Sequence, residues 1–246
     1  MVNIYYYGER GLIDSLMLDI IQSDNKDEIV KNILNKLNPE ISYKASFDIY
    51  VEPSFGQRDG FGVPDLIIKA DDDLYIIEAK CGTVEKNCYT GTKTSEFWDK
   101  KNSSKLNVQL LLRYRFMNLL YNQKKNKLPL GKYFVLEEEN EYGDSSHSPK
   151  VSGKFTYLRA LSREKSEWID QICGWKNVYY VALTSDLKKK DALDMLKDSY
   201  KVKFNVSIDD FIKNIRMLTY KDIIESLDNK TKYFDETCKK FGYYER

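Results

Sequence analysis

Histidine is almost missing from this chain: His147 is the only one in 246 residues. One histidine excludes, within a single chain, both a histidine-based catalytic triad and a multi-histidine metal site. His147 itself lies in a polar stretch, 142–149, and reads as a solvated loop residue. Cysteine is scarce and scattered. The four, Cys81, Cys88, Cys173 and Cys238, include no close pair with metal-ligand spacing, so free thiols in a reducing cytoplasm are expected. No apolar stretch is long enough to span a bilayer and no early apolar run follows a basic start, so no membrane partner is expected. The net charge is small, +1, with 39 lysines and arginines against 38 aspartates and glutamates. Global charge therefore gives no sign of a nucleic-acid partner, and a binder would need a local basic patch. The length is enough for a good core, as one large domain or a domain plus an extension.

What is present centres on residues 61–81, FGVPDLIIKADDDLYIIEAKC. Two β-rich runs flank the acidic turn Asp71-Asp72-Asp73, which predicts a β-hairpin. With Asp71 and Asp72 as turn residues, Ala70 faces Asp73, and counting back places Asp65 opposite Glu78. Opposed residues have Cβ atoms about 4.5–5.5 Å apart, and like charges there repel. Side chains alternate along a strand, so Asp65, Glu78 and Lys80 share one face beside Ile67 and Ile76. Leu66, Ile68, Tyr75, Ile77 and Ala79 share the other. Both faces are apolar away from the charged end, which predicts a central hairpin covered on both sides. Two acids and an amine there are costly unless compensated. A divalent cation between the carboxylates would compensate them, with Lys80 aimed at an anion that the metal also touches.

Pro64-Asp65, a spacer of hairpin length, and Glu78-x-Lys80 together resemble the PD-(D/E)XK nuclease superfamily. The resemblance implies an α/β, restriction-endonuclease-like core: a central mixed β-sheet flanked by helices. It implies Mg²⁺, with Mn²⁺ as a substitute, held by Asp65, Glu78 and the backbone carbonyl of Ala79, and Lys80 orienting or activating the attacking water. The implied activity is phosphodiester hydrolysis in DNA by a stand-alone endonuclease of restriction, repair or phage-defence type. RNA is not excluded, and a homodimer is expected by analogy. The alternative is a catalytically inactive nucleic-acid-binding or interaction protein with a nuclease-like fold. A third reading is a hairpin whose charged end simply meets solvent.

The rest of the chain is read around that centre. Residues 9–21 form a first helix with the stripe Leu12, Ile13, Leu16 and Ile20. Glu9 extends the stripe: it is either a first-turn acid favoured by the helix dipole or, as the resemblance implies, a further carboxylate for the metal. A second helix is expected over 27–37 and a first strand over 42–51. The loop 54–62, rich in glycine and aromatics, is either an ordinary turn or an approach surface for a phosphate, with Gln57 and Arg58 as contacts. Residues 82–105 read as a polar loop carrying Lys86, Lys93, Lys100, Lys101 and Lys105 among Tyr89, Phe97 and Trp98. That mixture suits either a nucleic-acid backbone or plain solvation. A strong helix covers 104–122, with Leu106, Leu110, Arg113, Met117 and Leu120 along one face. Gln109 is either an auxiliary site residue or a polar flank of this packing helix. Strands are expected at 131–137, as a partner of the hairpin, and at 154–161 and 177–183, with a helix starting at 162. Beyond that the pattern is helical (187–200, 207–228, 230–241). The chain thus divides into a core, 1–186, and a helical C-terminal extension, 187–246, separate or part of the same domain. The run Lys188–Lys190 reads as a solvated helix face or a nucleic-acid contact.

Overall fold

The hairpin forms, and a sheet is built outward from it. The computed structural model describes residues 8–44, 46–53, 63–125, 133–134, 156–157, 175–204, 206–228, 232–240 and 242–243. In chain order these give the helices Gly8–Gln22 (α1) and Lys26–Leu37 (α2), then the strands Phe47–Val51 (β1), Leu66–Ala70 (β2) and Asp73–Ala79 (β3). Short helices Val84–Asn87 (α3) and Thr94–Phe97 (α4) lead to the long helix Leu106–Lys125 (α5). Two short strands follow, Tyr133–Phe134 (β4) and Thr156–Tyr157 (β5), and then Asn177–Thr184 (β6). The chain continues through Lys189–Asp198 (α6), Asp209–Lys213 (α7), Ile215–Thr219 (β7), Tyr220–Ser226 (α8) and Tyr233–Lys240 (α9).

Strands β1, β2 and β3 pair antiparallel, and β6 and β7 add parallel to β3, giving a five-stranded mixed sheet of order β1-β2-β3-β6-β7. Ala70 lies opposite Asp73 and Leu66 opposite Ile77, the register read from the turn. Asp71 takes the left-handed backbone that this turn needs, φ 51°, a conformation aspartate tolerates. All seven residues of β3 are buried, because the strand has a partner on each edge and a helical layer on each face. Ile67, Leu74 and Ile76 point into a core with Leu106, Leu110, Leu111, Phe116 and Met117 of α5. Leu66, Ile68, Tyr75 and Ile77 point into the other core, with Leu12 and Leu16 of α1, Ile33 of α2, Ile223 of α8 and Phe234 of α9. A parallel step such as β3 to β6 requires a crossover, and α5 lies within it. Among the described residues no helix is long and apolar enough to cross a membrane.

Four local expectations are corrected. Residues 187–246 are not wholly helical: Ile215–Thr219 is the fifth strand of the sheet, with Met217 in one core and Leu218 in the other. A five-residue segment between two helical stretches is too short for its period to tell strand from helix. In the segment 131–137, the described residues do not pair with the hairpin. These two, Tyr133 and Phe134, pair with Thr156 and Tyr157 in a separate small sheet, while β6 takes the place beside β3. The first strand occupies only 47–51 of the stretch 42–51. The stretch 82–105 is not an open loop: it holds α3, α4 and a 3₁₀ turn at Lys100–Asn102. Phe97 and Trp98 within it are 0% exposed and belong to the core, so they offer no face to a nucleic-acid base. The helix expected from residue 162, His147 and Cys173 lie outside the described residues.

The C-terminal end is tied back by one buried acid. Asp19 on α1 accepts hydrogen bonds from the backbone N–H groups of Tyr233 (3.0 Å) and Phe234 (2.9 Å), and so caps the start of α9. Replacing Asp19 by alanine leaves those donors unsatisfied in a buried place. We expect a loss of about 2 kcal/mol in urea denaturation, with Asp19→Asn losing less. Equal stability of the alanine variant and the wild type would contradict the capping role.

Candidate active site

The charged residues gather where β2 begins and β3 ends. Carried one step past Leu66–Ile77, the register brings Asp65 level with Glu78. The backbone N–H of Ala79 donates to Asp65 Oδ2 at 2.7 Å, which fixes the aspartate against the end of β3. The next amide, that of Lys80, points the other way and donates to the Leu183 carbonyl of β6 at 2.9 Å. Within an extended strand the N–H and C=O of one residue point to the same side. The Ala79 carbonyl therefore faces the Asp65 side. Tyr220 donates its hydroxyl to the Lys80 carbonyl at 2.6 Å, pinning the chain just beyond the strand. Gly82 then turns it into α3 with φ +119°, a backbone that a side chain would strain.

Glu78 is 1% exposed and faces α5, where Arg113, 2% exposed, meets it. Arg113 Nε donates to Glu78 Oε1 at 2.5 Å, and Nη2 of the same guanidinium donates to the Val63 carbonyl at 3.0 Å. The expectation that Lys80 shares the face of Glu78 is corrected: Lys80 lies past the last strand residue, where alternation no longer governs it, and it turns towards α1 while Glu78 faces α5. The buried Lys80 ammonium reaches to Glu9 Oε2 of α1 at 2.7 Å, while the Glu9 side chain remains 38% exposed. The site thus sits at the sheet's end, between the two helical layers: Glu9 comes from one and Arg113 from the other.

Electrostatics shows how crowded the acids are. Burial, and then the charge of Glu78, push the Asp65 carboxyl up to about 7, against the pull of the Ala79 amide and of Lys80; Glu9 adds to the rise. Burial raises Glu78 as well, while Arg113 and then Lys80 pull it back. Two acids that both resist ionisation lack positive charge. Each carboxylate has one oxygen in a hydrogen bond, Asp65 Oδ2 and Glu78 Oε1, and among the described residues neither accepts a further one. Gln109, one turn before Arg113 on α5, has a buried Oε1 with no hydrogen-bond partner among the described residues. Two acids and a carbonyl on one side suit Mg²⁺, which keeps several waters and needs few protein ligands. The residues present therefore fit a divalent cation through Asp65, Glu78 and Ala79. Among the described residues, no three His, Cys, Asp or Glu side chains cluster closely enough to hold a metal together, and Glu9 is engaged with Lys80.

The other candidates are spread more widely. Gln57 and Arg58 lie outside the described residues, as does the side chain of Lys100. Lys86, Lys93 and Lys101 are exposed, and two of them are paired locally, Lys93 with Glu96 at 3.1 Å and Lys101 with Asp99 at 3.3 Å. Lys105 donates to the Lys86 carbonyl at 3.1 Å. In the run Lys188–Lys190, Lys189 is paired with Asp222 at 3.1 Å. Cys81, Cys88 and Cys238 are free thiols. The residue that sequence reading left among the packing positions is Arg113. Its signal was present: a permanent cation on the apolar stripe of a helix, facing a sheet with an unpaired buried acid.

Because the fold raises Asp65 from an ordinary 3.8 to about 7, folding favours its protonated form. The cost of ionising it grows as pH rises through that window and is fully present above it, with a ceiling of about 4 kcal/mol. Asp65→Asn cannot ionise and keeps the acceptor for Ala79. In EDTA we expect its melting temperature to exceed that of wild type at pH 8, and the gap to shrink towards pH 5. A gap that stays constant with pH would show that Asp65 is not desolvated as described. Compared with protein-family models, curated proteins and solved structures, the chain matches none, so the reading of this site rests on its own geometry.

Proposed function

We propose that this chain is a metal-dependent nuclease of the PD-(D/E)XK kind, hydrolysing phosphodiester bonds in DNA. The observation that carries the reading is the meeting of Asp65 and Glu78 at a desolvated sheet end with Lys80 beside them, strong enough to hold Asp65 near 7. Asp65, Glu78 and the Ala79 carbonyl would hold Mg²⁺. When bound, the ion supplies Lewis acidity to the phosphate and lowers the pKa of attached water.

The chain's own residues do the rest. Lys80 brings its ammonium to a buried place beside Glu9, where charge acts more strongly than in water. Its ammonium has three donors, and the bond to Glu9 uses one of them. The others are left to orient the attacking water and to offset charge building on the phosphate oxygens. The 2.7 Å ion pair supports a role for Glu9 in aiming Lys80. As the water oxygen bonds to phosphorus, the bond between phosphorus and the leaving oxygen breaks; one of the water's protons passes to solvent, the other stays on the new phosphate hydroxyl, and solvent protonates the leaving oxygen. Cutting both strands of a duplex takes two such sites, which makes a homodimer part of the proposal.

The test is a cleavage assay with Mg²⁺ or Mn²⁺ against EDTA on single-stranded, duplex and branched DNA and on RNA. Cleavage is expected only with metal, and to fall by at least about a hundredfold in Asp65→Asn and in Lys80→Met. Both variants should keep the wild-type circular dichroism. Variants that cut like wild type would overturn the site, and RNA cut in preference to DNA would reassign the substrate.

A further inference from the structure

We propose that Arg113 is the positioning residue of this site: its guanidinium sets the separation of the Asp65 and Glu78 carboxylates and thereby the cation the site prefers. The inference rests on the metal-binding reading above and adds a determinant of which ion fits.

Arg113 grips both halves of the hairpin's charged end. Its Nε holds Glu78 Oε1 on β3 at 2.5 Å, and its Nη2 holds the Val63 carbonyl, at the entry to β2, at 3.0 Å. That carbonyl belongs to the peptide bond joining Val63 to Pro64. The proline ring fixes its own φ near −65°, so holding the peptide leaves little freedom before Asp65. The Ala79 amide then holds Asp65 Oδ2 from the far side at 2.7 Å. Both acids are thus located through one planar fork. The fork has a rigid base, because Leu110 and Met117, one turn to either side on α5, are buried in the core.

Stability does not explain this arrangement. A buried ion pair recovers little more than its desolvation cost, and a well-packed apolar pair often does as well. An arginine differs from an apolar side chain, and from lysine, in holding two acceptors at a fixed angle. At a metal site such outer partners orient the ligands, and their loss costs about 10–100-fold in affinity. Mg²⁺ demands near-ideal octahedral geometry at about 2.0–2.1 Å, whereas Ca²⁺ accepts 6–8 oxygens at about 2.3–2.6 Å in flexible arrangements. Loosening the fork should therefore penalise Mg²⁺ far more than Ca²⁺.

The experiment is calorimetric titration of the full chain with Mg²⁺ and, separately, with Ca²⁺, for wild type, Arg113→Lys and Arg113→Met. Lysine keeps the charge but has no fork. For Arg113→Lys we expect Mg²⁺ affinity to fall at least about tenfold and Ca²⁺ affinity by less than about threefold. Arg113→Met should lose at least as much Mg²⁺ affinity; if it does not fold, the lysine variant decides alone. Equal losses for both ions, or no loss for either, would overturn the positioning role and leave the metal site standing. A wild type that binds neither ion would overturn the metal reading itself.

Discussion

Two carboxylates brought level at the end of a β-hairpin, Glu78 buried and Asp65 half-buried, are the constraint on which this structure turns. Their proximity is not a choice of side-chain rotamers. It follows from the turn at Asp71-Asp72, which fixes the register Ala70–Asp73 and so every pair behind it. Both faces of β3 are covered, so water cannot relieve the crowding along the strand. The molecule answers with cations from opposite sides: Arg113 against Glu78, and Lys80 nearby, itself paired with Glu9. Asp65 remains only partly compensated and rises to about 7. That residual imbalance is what the cation proposed above would relieve.

The surrounding fold places these groups rather than merely enclosing them. α1 covers one face of the sheet and starts at Gly8, so its first turn delivers Glu9 to the sheet's end. α5 covers the other face and delivers Arg113 from the middle of a long buried helix. β6 runs parallel beside β3 and accepts the Lys80 amide, which aligns the end of β3. Tyr220, at the start of α8 directly after β7, clamps the Lys80 carbonyl. The C-terminal sixty residues therefore contribute to the site through β7 and α8, although they read as a helical appendage.

Much of this was legible in the sequence because strand pairing is arithmetic. The hairpin, its register, the two apolar faces and the meeting of Asp65 with Glu78 all follow from a period of two and a two-residue turn. The α1 stripe and the α5 face follow from helical spacing. The failures share a cause: information that is not local. Ile215–Thr219 became a strand because β6 offers it an edge, not because its five residues insist on it. Phe97 and Trp98 looked like a nucleic-acid surface because they sit among lysines, yet both fill the core. Arg113 looked like a tolerated charge on a packing stripe. Its partner lies 35 residues earlier in the chain, beyond the reach of any helical pattern.

The most direct measurement is an anomalous difference map from crystals soaked in Mn²⁺. The account predicts a peak at ligand distance from a carboxylate oxygen of both Asp65 and Glu78 and from the Ala79 carbonyl, with Arg113 still on Glu78. A map with no peak between those two acids at saturating Mn²⁺ would contradict it.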